Sequence, residues 1–187
     1  MTKVRCNWCG TDPLYMQYHD SEWGVPVYED DTLFEFLILE TFQAGLSWIT
    51  VLRKRENFRK AFDNFNYQKI AEYSEEKYEQ LLQDPGIIRN KLKIKATITN
   101  AQAFIKVQKE FGSFSKYIWE FTKGKPIKNK FAKREDVPAT TEISDTISKD
   151  LKKRGFKFVG STVIYAHMQA TGMVNDHTTD CFRYHEV

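Results

Sequence analysis

Cysteine and histidine residues are concentrated near both ends of this 187-residue chain. The segment "RCNWCGTDPLYMQYHD" contains Cys6, Cys9 and His19, and the segment "VNDHTTDC" contains His177 and Cys181. These residue types bind zinc, which usually takes four nitrogen or sulfur ligands in a tetrahedron. A site that drew ligands from both segments would join the two ends of the chain, and would therefore limit the folds open to everything between them.

Two ligand sets fit this spacing. One set contains Cys6, His19, His177 and Cys181, and the other replaces His19 with Cys9 to use the C-x2-C pair. Unrelated buried cysteines and surface histidines are a third interpretation. His177 and Cys181 are four residues apart, so they would share one helical face if the last helix extends that far.

A metal held in this way would be structural. Four protein ligands leave no coordination position for a water molecule, so the metal could not act as a Lewis acid on a substrate. We expect the neighbouring Asp176 and Asp180 to support the ligands or to face solvent, and not to be catalytic.

The chain carries no sign of membrane insertion or export. No apolar run approaches the roughly 18 residues of a membrane span, and the first residues lack the apolar stretch of a signal peptide. We therefore expect a cytoplasmic protein with no membrane partner. In a reducing compartment, cysteines near histidines indicate metal binding or packing more often than disulfides.

Helical signals occur along the whole chain. Asp12, Ser47 and Ser74 are placed as helix N-caps, and Gly45 is placed as a left-handed C-terminal residue. No alternating strand pattern longer than a few residues is visible, and the length suits a single core. The sequence predicts an all-α fold in one unit covering residues 1–187, with the basic, proline-containing stretch 122–142 as a loop.

One carboxylate falls where a core residue is expected. The segment "LFEFLILETFQAG" carries a stripe at helical spacing that consists of Leu33, Phe36, Leu37, Glu40 and Ala44. An unpaired buried carboxylate is costly, so Glu40 either has a basic partner or has a function. A buried Glu–Arg pair is the structural alternative, and Glu35 lies on the opposite face.

Aromatic residues close to Glu40 favour a binding pocket. Trp48 follows directly after the glycine turn, and Tyr15 and Tyr18 share one face of the preceding helix. A carboxylate among aromatic rings is typical of a site that stacks a flat, preferably cationic, ring and accepts its N–H donors. A hydrophobic core with one ion pair is the simpler alternative.

The segment "YEQLLQDPGIIRNKLKIKA" has the pattern of a helix-hairpin-helix motif over about residues 74–105. Gly86 would permit the positive φ of a tight turn. Arg89, Lys91 and Lys93 would supply charge beside a helix N-terminus that points at a DNA phosphate. An ordinary αα-hairpin with a basic surface has a similar pattern.

Together these motifs resemble the DNA-3-methyladenine glycosylase I family. The resemblance rests on "RCNW", "DPLYMQYHDSEWGVP", "LETFQAGLSWITVLRKRENFRKAF", "DPGIIRNKLKI", "LKKRGFKFVGST" and "VNDHTTDC". It implies a helix-hairpin-helix glycosylase fold in which structural zinc ties the terminal segments 1–24 and 160–187 together. Its zinc ligands would be Cys6, His19, His177 and Cys181, which leaves Cys9 outside the site.

The same resemblance implies residue roles. The base pocket would be lined by Trp8, Tyr15, Tyr18, Glu40 and Trp48. Glu40 and one of the tyrosines would hydrogen-bond the damaged base, and an ionised Glu40 would be the catalytic group. Gly45 and Leu46 would form the turn that enters the DNA stack beside the damaged base. Thr41 and Phe42 stand where other family members vary.

The implied activity is hydrolysis of the N-glycosidic bond of N3-methyladenine in alkylated double-stranded DNA, which leaves an abasic site. We expect a monomer that needs no small-molecule cofactor and performs no lyase step. A non-catalytic helix-hairpin-helix DNA-binding protein is the main alternative. A zinc hydrolase and a glycosylase-lyase for oxidised bases are two others.

Overall fold

A computed structural model describes residues 3–187 and, within them, contains nine α-helices and two very short strands. The helices are α1 Pro13–Ser21, α2 Asp30–Gln43, α3 Trp48–Ala61, α4 Tyr67–Ala71, α5 Glu75–Gln83, α6 Lys91–Phe111, α7 Phe114–Glu120, α8 Glu142–Lys153 and α9 Ser161–Ala170. The strands are β1 Ile127–Lys128 and β2 Val174–Asn175. The predicted all-α class is confirmed.

Helix α2 is the centre of the hydrophobic core. Every residue from 36 to 42 is buried, and the helix contacts α3, α6, α7 and α9. A helix that is apolar on nearly all faces is buried within the domain and not laid on its surface. The predicted stripe was therefore too narrow, but it placed Glu40 inside the core correctly.

The predicted helix caps differ in how they are made. The Asp12 carboxylate accepts from the backbone N–H groups of Leu14 and Tyr15, and the Ser74 hydroxyl accepts from the next helix in the same way. Ser47 is the N-cap of α3, but its hydroxyl bonds the Thr50 hydroxyl and not a backbone N–H. Gly45 has a φ of 82°, the left-handed conformation predicted for it.

Helices α5 and α6 form the predicted hairpin, with residues 84–90 between them. Its assignment as the DNA-binding motif stays a prediction. The proposed role of Gly86 was wrong in one respect, since it is not among the residues with positive φ. Its backbone N–H donates to Asp84 Oδ1 at 2.7 Å, and an added Cβ would lie 3.2 Å from Asn57 Cβ. Close packing, and not a left-handed conformation, is what requires a small residue here.

The terminal segments lie together and against the predicted basic loop. The N–H of Phe182 donates to the carbonyl of Val4, and β1 pairs in parallel with β2. The N–H of Thr179 donates to the carbonyl of Phe131. Stretch 122–142 is therefore irregular, as predicted, but it is fixed to the C-terminal segment. Within residues 3–187, no helix is both long enough and apolar enough to cross a membrane.

Candidate active site and metal centre

Four buried side chains from the two ends of the chain converge on one point. They are Cys6, His19, His177 and Cys181, whose ligand atoms all lie within 4.8 Å of one another. Cys181 Sγ lies 3.4 Å from His19 Nε2 and 3.5 Å from His177 Nδ1, and Cys6 Sγ lies 3.5 Å from His177 Nδ1. This Cys2His2 group could hold a metal ion.

The outer nitrogens of both imidazoles are already engaged. Asp20 Oδ1 lies 2.8 Å from His19 Nδ1, and Asp20 is itself held by a forked contact from Arg5. The Trp23 carbonyl lies 3.0 Å from His177 Nε2. Partners of this kind fix the ring orientation and leave the inner nitrogen as a ligand, as in characterised metal sites.

The path of the chain corrects one prediction about this group. Helix α9 ends at Ala170, so His177 and Cys181 do not share a helical face. A turn brings them together instead, with the Cys181 N–H donating to the Thr178 carbonyl at 2.8 Å. Cys9 is buried nearby, but its thiol points at the carbonyl of Cys6 and it stands outside the group. The geometry therefore favours the ligand set that contains His19.

A cavity of about 300 Å³ lies beside the metal centre. All five predicted base-binding and catalytic residues line it, namely Trp8, Tyr15, Tyr18, Glu40 and Trp48. The ring centroids of Trp8 and Tyr15 lie 4.9 Å apart, and those of Tyr18 and Trp48 lie 5.5 Å apart. The cavity therefore has aromatic walls and a volume suited to a small flat ligand.

Three buried polar atoms on residues that line this cavity have no hydrogen-bond partner within the described chain. They are the indole N–H groups of Trp8 and Trp48 and the Oε2 oxygen of Glu40. Buried polar groups are normally satisfied, because an unmade hydrogen bond costs about 1–3 kcal/mol. Two donors and one acceptor left unpaired in one cavity indicate a ligand with complementary acceptors and donors.

Within residues 3–187, Glu40 forms no ion pair, so the buried Glu–Arg pair considered for it was wrong. Arg55 and Arg59 instead pair with Glu35, on the opposite face of α2. Burial alone raises the pKa of Glu40 from 4.5 to about 8. Without a ligand, this environment favours the protonated carboxyl near pH 7. The ionised Glu40 expected in contact with a damaged base stays a prediction.

The tyrosines share this dry environment. Burial, followed by the nearby Glu40 carboxyl, raises the pKa of Tyr18 well above its usual value. Burial also raises the pKa of Tyr15, and the positive charge of Arg134 opposes that shift. Both phenols therefore stay neutral near pH 7 and can donate hydrogen bonds.

The turn between α2 and α3 lies next to the cavity. Gln43, the last residue of α2, lines the cavity, and Leu46 projects from the turn with 40 % of its surface exposed. A single exposed leucine is common on protein surfaces, so its place beside the cavity, and not its exposure, is what singles out Leu46. Gly45 and Leu46 thus lie where an element could act on a ligand entering the cavity.

The three basic residues of the hairpin do not lie in equivalent places. Arg89 and Lys91 are exposed, as a phosphate-binding role requires. Lys93 is only 7 % exposed, and its Nζ donates to the carbonyls of Phe42 and Ala44. The prediction of Lys93 as a phosphate contact is therefore corrected, because its ammonium group is already occupied inside the protein.

Sequence reasoning missed several residues of the cavity wall. Asp176 is buried and accepts from Asn129 Nδ2, Tyr165 OH and Gln169 Nε2, at 2.7, 2.5 and 2.9 Å. Lys133 and Arg134 line the cavity from the basic loop. No carboxylate in residues 3–187 forms a salt bridge with either of these two side chains. The cluster of basic residues in 123–134 was the sequence signal for Lys133 and Arg134. Their position beside the cavity depends on the tertiary fold and could not be predicted from that cluster.

The methyladenine glycosylase family model matches residues 8–184, nearly the whole chain. The chain belongs to the methyladenine glycosylase family. It is 49% identical over 180 residues to DNA-3-methyladenine glycosylase 1 of Escherichia coli K12, with 96% of each chain covered. It is also 46% identical over 178 residues to DNA-3-methyladenine glycosylase of Haemophilus influenzae, covering 95% of this chain and 96% of the relative.

Solved structures agree with this assignment. A crystal structure of a 3-methyladenine DNA glycosylase I superimposes with a TM-score of 0.93 at 51% identity, covering 96% of this chain and 98% of that one. A 3-methyladenine DNA glycosylase I from Staphylococcus aureus, studied for its 3-methyladenine recognition, gives 0.93 at 35% identity and 95% coverage of each chain. The predicted family and its glycosylase fold are confirmed.

Proposed function

We propose that this methyladenine glycosylase excises 3-methyladenine from alkylated double-stranded DNA by hydrolysing the N-glycosidic bond. The observation that carries the proposal is the set of unpaired polar atoms on the residues that line the aromatic cavity. An adenine ring offers an exocyclic N–H2 group to the Glu40 carboxyl and ring nitrogens to the indole N–H groups of Trp8 and Trp48. Inside a duplex that base is stacked, so the nucleotide must be extruded to reach the cavity.

Charge favours an N3-methylated adenine over unmodified adenine. In DNA this base is cationic, and cations are attracted to the faces of tryptophan and tyrosine rings by about 0.5–2 kcal/mol. A cation beside Glu40 also favours the ionised carboxylate and lowers its pKa. Glu40 would therefore release a proton as the cationic base enters, and would then hold that base as an ion pair.

The bond-breaking step needs little assistance from the protein. A cationic base is already a good leaving group. C1′ loses the base nitrogen with its bonding electrons, so the base leaves neutral, and the water oxygen that bonds to C1′ gives up one proton to solvent. The enzyme contributes extrusion, orientation and a negative charge at Glu40 that would stabilise the positive charge developing on the sugar as the base becomes neutral. Unmodified adenine is neutral and lacks this advantage.

No lyase step is proposed. Lys93 is occupied by two backbone carbonyls, and Lys133 is the one lysine among the described residues that line the cavity. A Schiff base would have to form at Lys133, which lies on an exposed loop. Borohydride treatment during turnover is therefore expected to leave the protein unmodified.

The DNA would be held by three surfaces around the cavity. Leu46 and Gly45 would enter the space left by the extruded nucleotide. Gly86, Arg89 and Lys91 of the α5–α6 hairpin would contact the phosphate backbone through N–H groups and charge. Lys133 and Arg134 would contact phosphates at the rim of the cavity.

The Cys2His2 group would hold zinc. Zinc–sulfur bonds of about 2.3 Å and zinc–nitrogen bonds of about 2.0 Å at tetrahedral angles put neighbouring sulfur and nitrogen atoms about 3.5 Å apart. The observed separations of 3.4–3.5 Å match that value. When bound, the metal supplies a rigid cross-link between residues near the two ends of the chain.

The test is chromatography of the free bases released from randomly methylated duplex DNA. Release of 3-methyladenine, with 7-methylguanine left in the DNA, is the expected result. Salt-sensitive DNA binding with no base release would instead support a non-catalytic DNA-binding protein. Nicked strands formed without an added lyase would contradict the monofunctional mechanism.

A further inference from the structure

Lys93 is a buried cation that the chemistry of the cavity does not use. It is the third residue of α6, and Asn90 caps this helix by accepting from the Lys93 backbone N–H. Its ammonium group donates to the carbonyl of Phe42 at 2.9 Å and to the carbonyl of Ala44 at 2.7 Å. One side chain therefore connects α6 to the end of α2, 49 residues away in sequence.

These two carbonyls are at the point where α2 stops. The last carbonyls of a helix have no partner within it, and a positive charge there is favourable. The intervening carbonyl, that of Gln43, accepts from the Leu46 N–H at 2.7 Å. Three successive carbonyls of the turn are thus satisfied, two of them by the same ammonium group.

Burying a lysine for this purpose has a cost. Burial lowers the pKa of Lys93, since the charged form loses hydration. A neutral helix terminus with water on its carbonyls would avoid that cost. Placing a charge here instead fixes the positions of both carbonyls, because a charged donor holds its acceptors more tightly than water does.

Functional groups lie on both sides of the two carbonyls that Lys93 binds. Glu40 lies one helical turn before Ala44, and Gln43 lines the cavity. Leu46 lies two residues after Ala44 and is exposed. A shift of this turn would move the leucine relative to the carboxyl that receives the base.

We propose that Lys93 is a positioning residue that holds the 43–46 turn in register with the base cavity, so that insertion of Leu46 and capture of the base occur together. This rests on the proposed function, in particular on Leu46 entering the DNA. Lys93 touches neither DNA nor base in this role. Its loss should impair excision from DNA while leaving the cavity able to bind free 3-methyladenine.

The first experiment compares two readouts for Lys93→Met. The kcat/KM for release of 3-methyladenine from duplex DNA should fall by about tenfold to a hundredfold, the effect of misplacing a positioned group by about 1 Å. The dissociation constant for free 3-methyladenine, measured by calorimetry, should change by less than about twofold, within the scatter expected when no contact to the ligand is lost. Equal losses in both readouts would overturn the proposal, because they would show a general structural role.

A double-mutant cycle with Leu46→Ala tests the coupling directly. If Lys93 acts through Leu46, the double variant should be no slower than the slower single variant. Lys91→Met is the matched control, since Lys91 is an exposed lysine on the same helix, and its effect should multiply with that of Leu46→Ala. If the losses in kcat/KM caused by Lys93→Met and Leu46→Ala also multiply, the two residues act independently and the inference is overturned.

Two further observations keep the result interpretable. If Lys93→Met does not fold, Lys93→Gln keeps one amide donor and should show the same separation of readouts with a smaller loss. A wild-type protein that releases no 3-methyladenine would overturn the proposed function and this inference with it. An active wild type with an uncoupled Lys93 would overturn only the inference.

Discussion

Asn129 Nδ2 donates to Asp176 Oδ1 at 2.7 Å and so joins the basic loop to the wall of the base cavity. The Asn129 backbone N–H also donates to the carbonyl of Asn175, continuing the β1–β2 pairing. Because His177 directly follows Asp176, the same short segment carries a member of the Cys2His2 group, a cavity wall and the anchor of the loop. Metal site, cavity and loop are therefore one connected structure.

The rim of the cavity should contribute to DNA binding. The double substitution Lys133→Ala and Arg134→Ala is expected to weaken binding to DNA, because two phosphate contacts are lost. The slope of log K against log salt should fall by about 0.9 for each contact. Free 3-methyladenine should bind nearly as before, since the contacts proposed for the base are made by Glu40, Trp8 and Trp48.

Lys123→Ala with Lys125→Ala is the matched control for the rim. Both lysines are exposed on the same loop but do not line the cavity. An equal loss of affinity in this control would show that only net charge matters. Asn129→Ala keeps every charge and should still weaken DNA binding, because it releases the loop from Asp176.

Glu40 should make the stability of the free protein fall as the pH rises. Its pKa is raised from 4.5 to about 8, so between these values the folded state holds a proton that the unfolded state has lost. The free energy of unfolding therefore decreases between these two pH values and becomes constant above them. At pH 7 the loss relative to low pH is on the order of 3 kcal/mol. Chemical denaturation of wild type and Glu40→Gln at pH 5, 6, 7 and 8 measures this difference.

In Glu40→Gln, the decrease of the unfolding free energy with pH that Glu40 causes should disappear. The free energy of unfolding at pH 7 should not be lower than in wild type. The variant should also lose affinity for free 3-methyladenine. An unchanged pH slope in the variant would contradict the account of Glu40 as a buried, unpaired carboxyl. Lower stability at pH 7 would point to a structural hydrogen bond at this position.

Removing the metal should destabilise the protein. A cross-link that closes a loop of more than a hundred residues is worth about 4 kcal/mol or more in chain entropy. A chelator, or Cys181→Ser, should therefore lower the Tm and remove about one zinc per chain, as measured by mass spectrometry. Because the basic loop is fixed to the same segment, DNA binding should weaken before the protein unfolds.

Cys9→Ser is the control for the metal site. Cys9 is buried beside the ligands, and a serine hydroxyl can still donate to the carbonyl of Cys6. This variant should keep the zinc content of wild type. Loss of zinc in Cys9→Ser would revive the ligand set that uses the C-x2-C pair.

Features set by local chemistry could be predicted from the sequence. Asp12 and Ser74 cap their helices as expected, because capping depends on residues only two or three positions away. Glu40 was identifiable because a carboxylate interrupts an apolar stripe. The ligand types of the metal site were recognisable as well, since so few cysteines and histidines are present.

Features set by contacts between distant residues could not be predicted in this way. In the sequence, Lys93 cannot be distinguished from the surface lysines beside it, because only the folded chain brings its side chain to the end of α2. Asp176 was assigned to the surroundings of the metal because it lies in the motif "VNDHTTDC". Its hydrogen-bond partners Asn129, Tyr165 and Gln169 lie outside that motif, so its place in the cavity wall could not be recognised. The role of Gly86 was misassigned. A glycine can be required either by a left-handed turn or by a side chain packed against it, here that of Asn57, and the sequence alone does not distinguish the two.

The most direct measurement is the single-turnover rate of 3-methyladenine release by Glu40→Gln compared with Glu35→Gln. Both glutamates lie on α2, but Glu35 pairs with arginines outside the cavity and Glu40 faces into it. The account predicts that Glu40→Gln loses about a hundredfold or more in rate, as expected when a group that stabilises developing charge is removed, and that Glu35→Gln stays close to wild type. Equal rates for the two variants, or faster release by Glu40→Gln, would contradict it.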